Sequence, residues 1–566
     1  MKKLLKEILR EIKKKKITNQ KQLDSLKKEI IKKYKFKEVP TNSDILAVAD
    51  SDERKKLKWM GIKPIRAISG VNVIAIMTKP IACKHGKCIY CPGGIDSYFG
   101  TVPQSYTGKE PATRRAIRNF YDPYLQVFNR LEQYVAMNKI PEKIELIIMG
   151  GTFPSFPRAY QEEFVYYAFK ALNDFGKLFF INDKLSIKKF NNFFELPGDI
   201  ENEERVRRVQ KKVLELKNKK EKGKNKINLK KIHKENESSK VKCVGLTIET
   251  RPDYGKLKQG NEMLELGATR IELGIQSVYD DVLKFIERGH TIKDSIESIR
   301  ILKDLGFKIN LHYMPGLTNL KRDFEGMKGL FSPEFNPDML KIYPCMVLKG
   351  TKLYELYKQG KYKPLTTKEA AKLIIRFKKI IPKYCRIMRI QRDIPSYVIE
   401  AGVDITNLRQ YIDELGKKCQ CIRCREIGLY LKNHPNYKIK KKNLKLNSIY
   451  YKASKGIEFF ISIDDVKNNV LFGFCRLRFP SQFLRKEITE DSVLIRELHV
   501  YGEAESIGTK GKIQHSGFGK RLLKEAENIS KMYRKNKLVV ISGVGVRGYY
   551  ARLGYKRDGP YMSKRL

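Results

Sequence analysis

From Val71 to about Gln391, short β-rich runs alternate with stretches long enough for a helix. The runs are VNVIAIM (71–77), IELIIM (144–149), CVGLTIE (243–249), RIELGI (270–275), KINLHY (308–313) and MLKIY (339–343). Repeated βα units make parallel strands, in a doubly wound sheet or a barrel. Six such units predict a partial (β/α) barrel. Ahead of them, Leu4, Leu5, Ile8, Leu9 and Ile12 recur at helical spacing, as do Leu23, Leu26 and Ile30. Thr18 is the expected N-cap of the second helix. The stretch Arg205–Lys242 breaks the alternation with 16 basic and 4 acidic residues. It predicts a surface insertion, partly helical, that either holds RNA or is a solvated loop. A polar, lysine-rich linker, Asn433–Leu446, follows the barrel region. Beyond it IEFFISI (457–463) and VLFGFCRLRF (470–479), joined by DDVKNN, predict a β-hairpin. VLIRELHVYG (493–502) predicts a further strand, and a helix opens near Gly517.

Charge changes this picture most. Lys plus Arg total 115 against 63 Asp plus Glu, a formal net charge of +52 over 566 residues. So large an excess points to a polyanionic partner, most simply nucleic acid. Met1–Lys37 alone carries 15 basic and 4 acidic residues, which reads as a basic helical arm for phosphates or a solvated hairpin. The length fits three or four domains, and 41% hydrophobic residues exclude global disorder. The N-terminus lacks the apolar core of a secretory signal and no run of ~18 apolar residues occurs. A cytoplasmic protein is expected, with no membrane partner. Six of the ten cysteines sit in two tight clusters, which in a reducing compartment suggests metal.

Cys83, Cys88 and Cys91 form C-x4-C-x2-C directly after the first barrel strand. Three thiolates in one loop can hold three irons of a [4Fe–4S] cluster, leaving the fourth open to S-adenosylmethionine (SAM). A zinc loop completed by His85 is the rival. IELIIMGGTF puts Gly150, Gly151 and Thr152 at the end of the second strand, where barrel sites are built and glycines let backbone approach a ligand. The combination resembles the radical SAM enzymes, in which this position receives the SAM amino group. Cys419, Cys421 and Cys424, a C-x-C-x2-C, suit a structural zinc in a linker. Its fourth ligand is open among His312, Cys345 and Cys385.

Near the C-terminus, Gln514, Gly517 and Gly519 form Q-x-x-G-x-G at the start of an amphipathic helix. Exposed N–H groups at a helix N-terminus suit a pyrophosphate. A Rossmann site is disfavoured, because no acidic residue follows at ~20 positions after a second strand. Strand, glycine turn, helix, strand and the tyrosine segment GYYARLGY together resemble the GNAT acetyltransferases. Of the tyrosines, Tyr550 is the favoured CoA contact, and Tyr549 faces either core or active site.

Radical SAM and GNAT signatures on one chain resemble the family of Elongator catalytic subunits, which modify the wobble uridine of tRNA. The resemblance runs from about Ser43 to Leu566 through SGVNVIAIMTKP, HGKCIYCPGG, QSYTGKEPATRRAIR, MGGTF, CVGLTIETRPDY, ELGIQSVYDDV, QRDIP, RELHVYG and ISGVGVRGYYARLGY. Lys84 stands where the family usually has Pro, and Gly548 replaces a larger residue. The resemblance implies an α/β fold, a partial radical SAM barrel joined to a mixed α/β GNAT domain. It implies these units: 1–60, a basic helical tRNA-binding region; 61–400, the barrel, with a basic insertion at about 176–242; 401–445, a cysteine-rich zinc linker; 446–566, the acetyltransferase. The implied CoA contacts are Glu497, Leu498, His499, Val500, Phe518, Gly519, Lys520 and Tyr550, with Lys143 reaching acetyl-CoA from the barrel. The implied activity uses acetyl-CoA, SAM and the cluster to place a 5-carboxymethyl group on the wobble uridine. Its partners would be a tRNA anticodon stem-loop rather than DNA, an electron donor, and either a second copy or Elongator-like subunits. A protein lysine acetyltransferase and a non-enzymatic RNA-binding scaffold are the alternatives. The basic charge opposes the first, since histone tails are basic, and the intact cysteine triad opposes the second.

Overall fold

The computed structural model describes residues 2–36, 39–61, 70–198, 202–219, 227–416, 419–502 and 517–566. Seven strands form the first sheet: β1 (Asn72–Met77), β2 (Lys143–Met149), β3 (Lys242–Thr250), β4 (Arg270–Gln276), β5 (Lys308–Tyr313), β6 (Met339–Ile342) and β7 (Arg386–Ile390). They pair in chain order and every pairing is parallel, giving the expected partial barrel. Each strand shows one apolar face to the surrounding helices. Ile144, Leu146 and Ile148 of β2, and Ile309 and Leu311 of β5, are fully buried there. The alternate residues face the lumen and are polar: Lys143 and Glu145, then Arg270 and Glu272, then Lys308, Asn310 and His312. The sequence pattern marked six strands, and the structure adds β7. Its sequence RIMRI lacks an apolar run because the charge of Arg386 is met from a distance, by Glu426 at 2.7 Å and the Tyr501 hydroxyl at 2.9 Å.

The second sheet holds β8 (Leu444–Ala453), β9 (Gly456–Asp465), β10 (Val470–Phe479), β11 (Ser492–Val500), β12 (Lys537–Val540), β13 (Lys556–Asp558) and β14 (Tyr561–Arg565). The order is β8-β9-β10-β11-β12-β14-β13, and only β11 and β12 run parallel. The hairpin is the expected one. Strand β8 begins inside the polar linker, at Leu444, and is an edge strand whose lysines alternate with half-buried residues.

This sheet packs against the N-terminal ends of the barrel strands. Arg496 grips Asp338, just before β6, through Nη1···Oδ2 at 2.7 Å and Nη2···Oδ1 at 2.6 Å. Arg478 holds Asp304 and Glu458, Arg476 holds Glu497, and Lys303 lies 3.8 Å from Glu458. Except for slight exposure at Glu497, all these side chains are sealed from solvent. Four cations and four carboxylates therefore cross the boundary as one network of buried charges.

The N-terminal helices Lys2–Lys14 and Gln20–Lys33 bury the expected leucines and isoleucines against Ile45, Leu46 and Met60. They form a small core of their own rather than a free arm. Asn19, not Thr18, caps the second helix, its side chain accepting from the Gln22 N–H. Arg54 ties this unit to the barrel by donating to the carbonyls of Leu46 and Val135. The insertion is helical over Glu203–Asn218 and Leu229–Ser238. The first helix seats Arg205 on Glu132 at 2.5 Å, and the second reaches the C-terminal unit where Arg547 donates to Glu237 at 3.1 Å.

Candidate active site

The three cysteines after β1 lie at the C-terminal ends of the barrel strands. Cys83 Sγ is 3.8 Å from Thr152 Oγ1, which joins the cysteine loop to the turn after β2. Gly150 in that turn has φ +110°, and a Cβ there would meet Thr78 Oγ1 at 2.5 Å, so only glycine fits. Arg288 donates to Cys88 Sγ at 3.6 Å and to the Gly274 carbonyl at 2.8 Å, while the Ser105 N–H donates to Cys91 Sγ at 3.3 Å. His85 Nε2 lies 3.3 Å from Cys88 Sγ. Burial, with Arg251 and Arg288 alongside, lowers the His85 pKa to about 3, so the ring is neutral. Burial raises the Cys83 and Cys91 thiols.

Among the described residues, two groups of three metal-ligating side chains bring all their donor atoms within 4.8 Å: Cys419, Cys421 and Cys424, and Glu249, Glu272 and His312. The first-loop cysteines are not such a group. Thiolates sharing one zinc at ~2.3 Å sit about 3.8 Å apart. Wider spacing suits three separate irons, so the donor set fits a cluster better than a single ion. The linker cysteines show the opposite pattern and fit one tetrahedral ion. Hydrogen bonds from the Cys419 and Cys424 thiols hold Cys421 well below its usual range and push those two thiols up in turn. Of the fourth-ligand candidates, His312 is engaged in the lumen by Glu272, and Tyr362 and Asp323 neighbour Cys345. Cys385 is nearest by packing, its carbonyl accepting from the Ile422 N–H at 2.9 Å, next to Cys421.

The second three-residue group is a lumen constellation that motif reading passed over. His312 Nε2 is 2.9 Å from Glu272 Oε2, and Lys341 contacts both Glu272 and, at 3.0 Å, Glu249. The Tyr106 hydroxyl donates to Glu249 at 3.2 Å. Burial pushes the Glu272 carboxyl up, but Lys341, His312 and Arg270 together hold it well below its ordinary value. Burial and Lys341 depress His312. The Lys341 ammonium already fills the cation position, so no metal is needed. The available signal was the alternation K-I-E-L, R-I-E-L-G-I-Q, K-I-N-L-H, whose polar members share one face.

In the C-terminal unit, β11 pairs with β12 only over Ser492–Ile495. The two parallel strands then part, and Glu497, Leu498, His499 and Val500 border the opening. The Glu497 carboxylate itself is committed to Arg476 at 2.9 Å. Burial pushes it up, while Lys308, Arg476 and His499 hold it below its usual value. Gly517, the N-cap of the helix Phe518–Met532, has φ +88° and, among the described residues, no side chain caps the first N–H groups at Gly517–Lys520. A Cβ on Gly519 would lie 2.8 Å from the Tyr549 hydroxyl, which places Tyr549 at this turn. Tyr550 is buried, its ring 5.7 Å from that of Tyr555. Gln514 lies outside the described residues. Lys143 starts β2 beside Lys242, on the end of the barrel that faces this unit.

Fold and site define a radical SAM half-barrel joined to a second, mixed sheet. Residues 81–327 match the Radical SAM superfamily, 337–417 the Radical SAM C-terminal domain and 1–68 the ELP3 N-terminal domain. The tRNA uridine(34) acetyltransferase of Methanocaldococcus infernus is 43% identical over 100% of this chain and 98% of its own length. Elongator complex protein 3 of Schizosaccharomyces pombe is 40% identical over 96% of this chain and 94% of its own. The solved Methanocaldococcus infernus Elp3 with an N-terminal deletion superposes with a TM-score of 0.70 at 38% identity, covering 88% of this chain and 100% of that one. This chain belongs to the family of tRNA uridine(34) acetyltransferases and Elongator complex protein 3, radical SAM enzymes of the acyltransferase kind. Among the described residues no helix is long and apolar enough to cross a membrane.

Proposed function

We propose that this enzyme installs a 5-carboxymethyl group on the wobble uridine of tRNA, taking the two carbons from acetyl-CoA. The observation that carries the reading is the arrangement on one chain. The cysteine loop stands at the C-terminal ends of the barrel strands, and the splayed strand β11 stands against their N-terminal ends. Cys83, Cys88 and Cys91 would hold the [4Fe–4S] cluster, with the turn Gly150–Thr152 against SAM. When bound, these groups supply a carbon radical able to act on an unactivated methyl group. The chain's own residues then hold the reactants. The backbone of 497–500 and the turn Gly517–Lys520 receive the CoA arm, with Tyr549 and Tyr550 beside them and Lys143 reaching over from the barrel. Cys419, Cys421 and Cys424 would hold a structural zinc. Exposed lysines of 1–60 and of the insertion face the tRNA phosphates, a second copy or Elongator-like subunits complete the assembly, and an external donor supplies electrons. Incubating tRNA with the chain, SAM, acetyl-CoA and reductant, then digesting to nucleosides for mass spectrometry, should reveal 5-carboxymethyluridine. Its absence, with acetylation of a histone peptide in the same mixture, would favour a lysine acetyltransferase instead.

A further inference from the structure

Phe120 is 71% exposed, in the loop between the helices Pro111–Arg118 and Pro123–Ala136. It and Tyr121 both take positive φ, +53° and +56°, which bulky side chains rarely adopt. The loop therefore holds the ring out at a cost in backbone strain. The insertion helix Glu203–Asn218 packs beside it, Gln210 donating to the Arg118 carbonyl at 2.7 Å. Between loop and helix lies an open cavity of about 580 Å³, within the ~300–1,000 Å³ of small-ligand sites. Phe120 and the half-buried Leu214 line it with apolar surface. Arg207, Lys211 and Lys219, all exposed, bring positive charge, with Glu215 as the acidic group among the lining residues. Among the described residues Lys211 and Lys219 have no ion-pair partner, and Arg207 has the exposed Glu203 at 3.4 Å. This groove stands at the same end of the barrel as the cysteine loop. Gln126, in the first turn of the helix Pro123–Ala136, exchanges hydrogen bonds of 2.8 and 2.9 Å with the backbone of Met77, the last residue of β1. Further along that helix Tyr134 donates to the Val73 carbonyl, near the start of β1. The helix thus descends from the C-terminal rim, and the loop ahead of it carries Phe120 at that rim.

A single exposed Phe is common on protein surfaces. This one is held out by strain and set in a basic cavity. Positive charge alone would serve any phosphate, paired or unpaired. The ring adds a flat apolar face, which a duplex cannot use because its bases are already stacked. An unpaired base can use both, its π-face on the ring and its phosphates on the cations. A wobble uridine swung toward the radical site leaves its loop neighbours without a stacking partner. We propose that Phe120 is a stacking platform for an unpaired base of the anticodon loop, with Arg207, Lys211 and Lys219 on the flanking phosphates. Every base has a π-face, so the contact adds affinity and position without reading sequence. The inference rests on the reading that the wobble uridine of tRNA is the substrate.

The test uses the full chain and two fluorescent RNAs, an anticodon stem-loop with uridine at the wobble position and a fully paired duplex of the same charge, with affinities read by anisotropy. Phe120→Ala is expected to bind the stem-loop about tenfold more weakly, the lower part of the range for one lost base stack, and the duplex as the parent does. Phe120→Leu, apolar but not aromatic, should show the same loss, while Phe120→Trp should bind the stem-loop at least as tightly as the parent. Lys211→Gln should instead weaken both RNAs and reduce the slope of log K against log salt, a slope that Phe120→Ala leaves unchanged. Melting curves check that the variants fold, and if Phe120→Ala does not, Phe120→Leu and Phe120→Trp decide. Parent-like binding of the stem-loop by folded Phe120→Ala or Phe120→Leu would overturn the assignment and leave the groove to a protein partner. An equal loss on stem-loop and duplex would overturn it too, since a paired base offers no face. A parent that binds neither RNA would instead sink the tRNA reading itself.

Discussion

Cys88 is the residue on which most of the upper site converges. It is buried, it receives Arg288 Nη1 at 3.6 Å, and the neutral His85 ring faces it at 3.3 Å. Serine keeps the size but supplies a far weaker ligand. Cys88→Ser should therefore lose bound iron and its visible absorbance after anaerobic reconstitution, and with them the formation of 5′-deoxyadenosine. Affinity for tRNA should stay within about 1 kcal/mol, because phosphate contacts carry most of it. Parent-like iron content in the variant would show that the cysteines serve another purpose.

Among elements, the N-terminal helices separate packing from charge most clearly. Their apolar stripe was readable because Leu4, Leu5, Ile8, Leu9 and Ile12 keep helical spacing, and all are buried. What the stripe packs on was not readable, since Ile45, Leu46 and Met60 lie beyond an intervening loop. The same limit hid β7 and the start of β8, whose polar residues are satisfied by partners far along the chain or by solvent. At the site, cysteine spacing and the double glycine were legible because their chemistry is local. The lumen layer was not, since Glu249, Glu272, His312 and Lys341 come from four different strands. Lys14, Lys21 and Lys28 on the helices and Lys16 in the turn between them are exposed and outside their core. Replacing all four by Gln should leave the melting temperature unchanged and weaken tRNA binding. The slope of log K against log salt should shrink by ~0.7–0.9 for each phosphate that the variant no longer neutralises. An unchanged slope in the folded variant would return these lysines to a purely solubilising role.

For the whole molecule, the decisive feature is the sealed charge network between barrel and second sheet. Burial alone would push Asp338 and Glu458 up, but Arg496 with Arg476 and Lys303 for the first, and Arg496 with Lys303 and Arg478 for the second, hold both below the ordinary carboxylate range. A carboxyl whose folded pKa is depressed adds stability above its unfolded value, ~3.9–4.3, and loses it as pH falls through the folded value. The chain should thus keep a plateau near neutrality and lose stability steadily below about pH 4. Removing one charge while its partners remain buried is costlier than never having had the network. Asp338→Asn leaves Arg496 and Arg476 facing a neutral group and should cost about 3–5 kcal/mol at neutral pH. The same substitution should flatten the acid limb, since the missing carboxylate no longer has a proton to take up. Urea melts of parent and variant at pH 7 and pH 3.5 give both quantities. Equal stability at pH 7, or parallel acid limbs, would mean that apolar packing, not these charges, holds the barrel and the second sheet together.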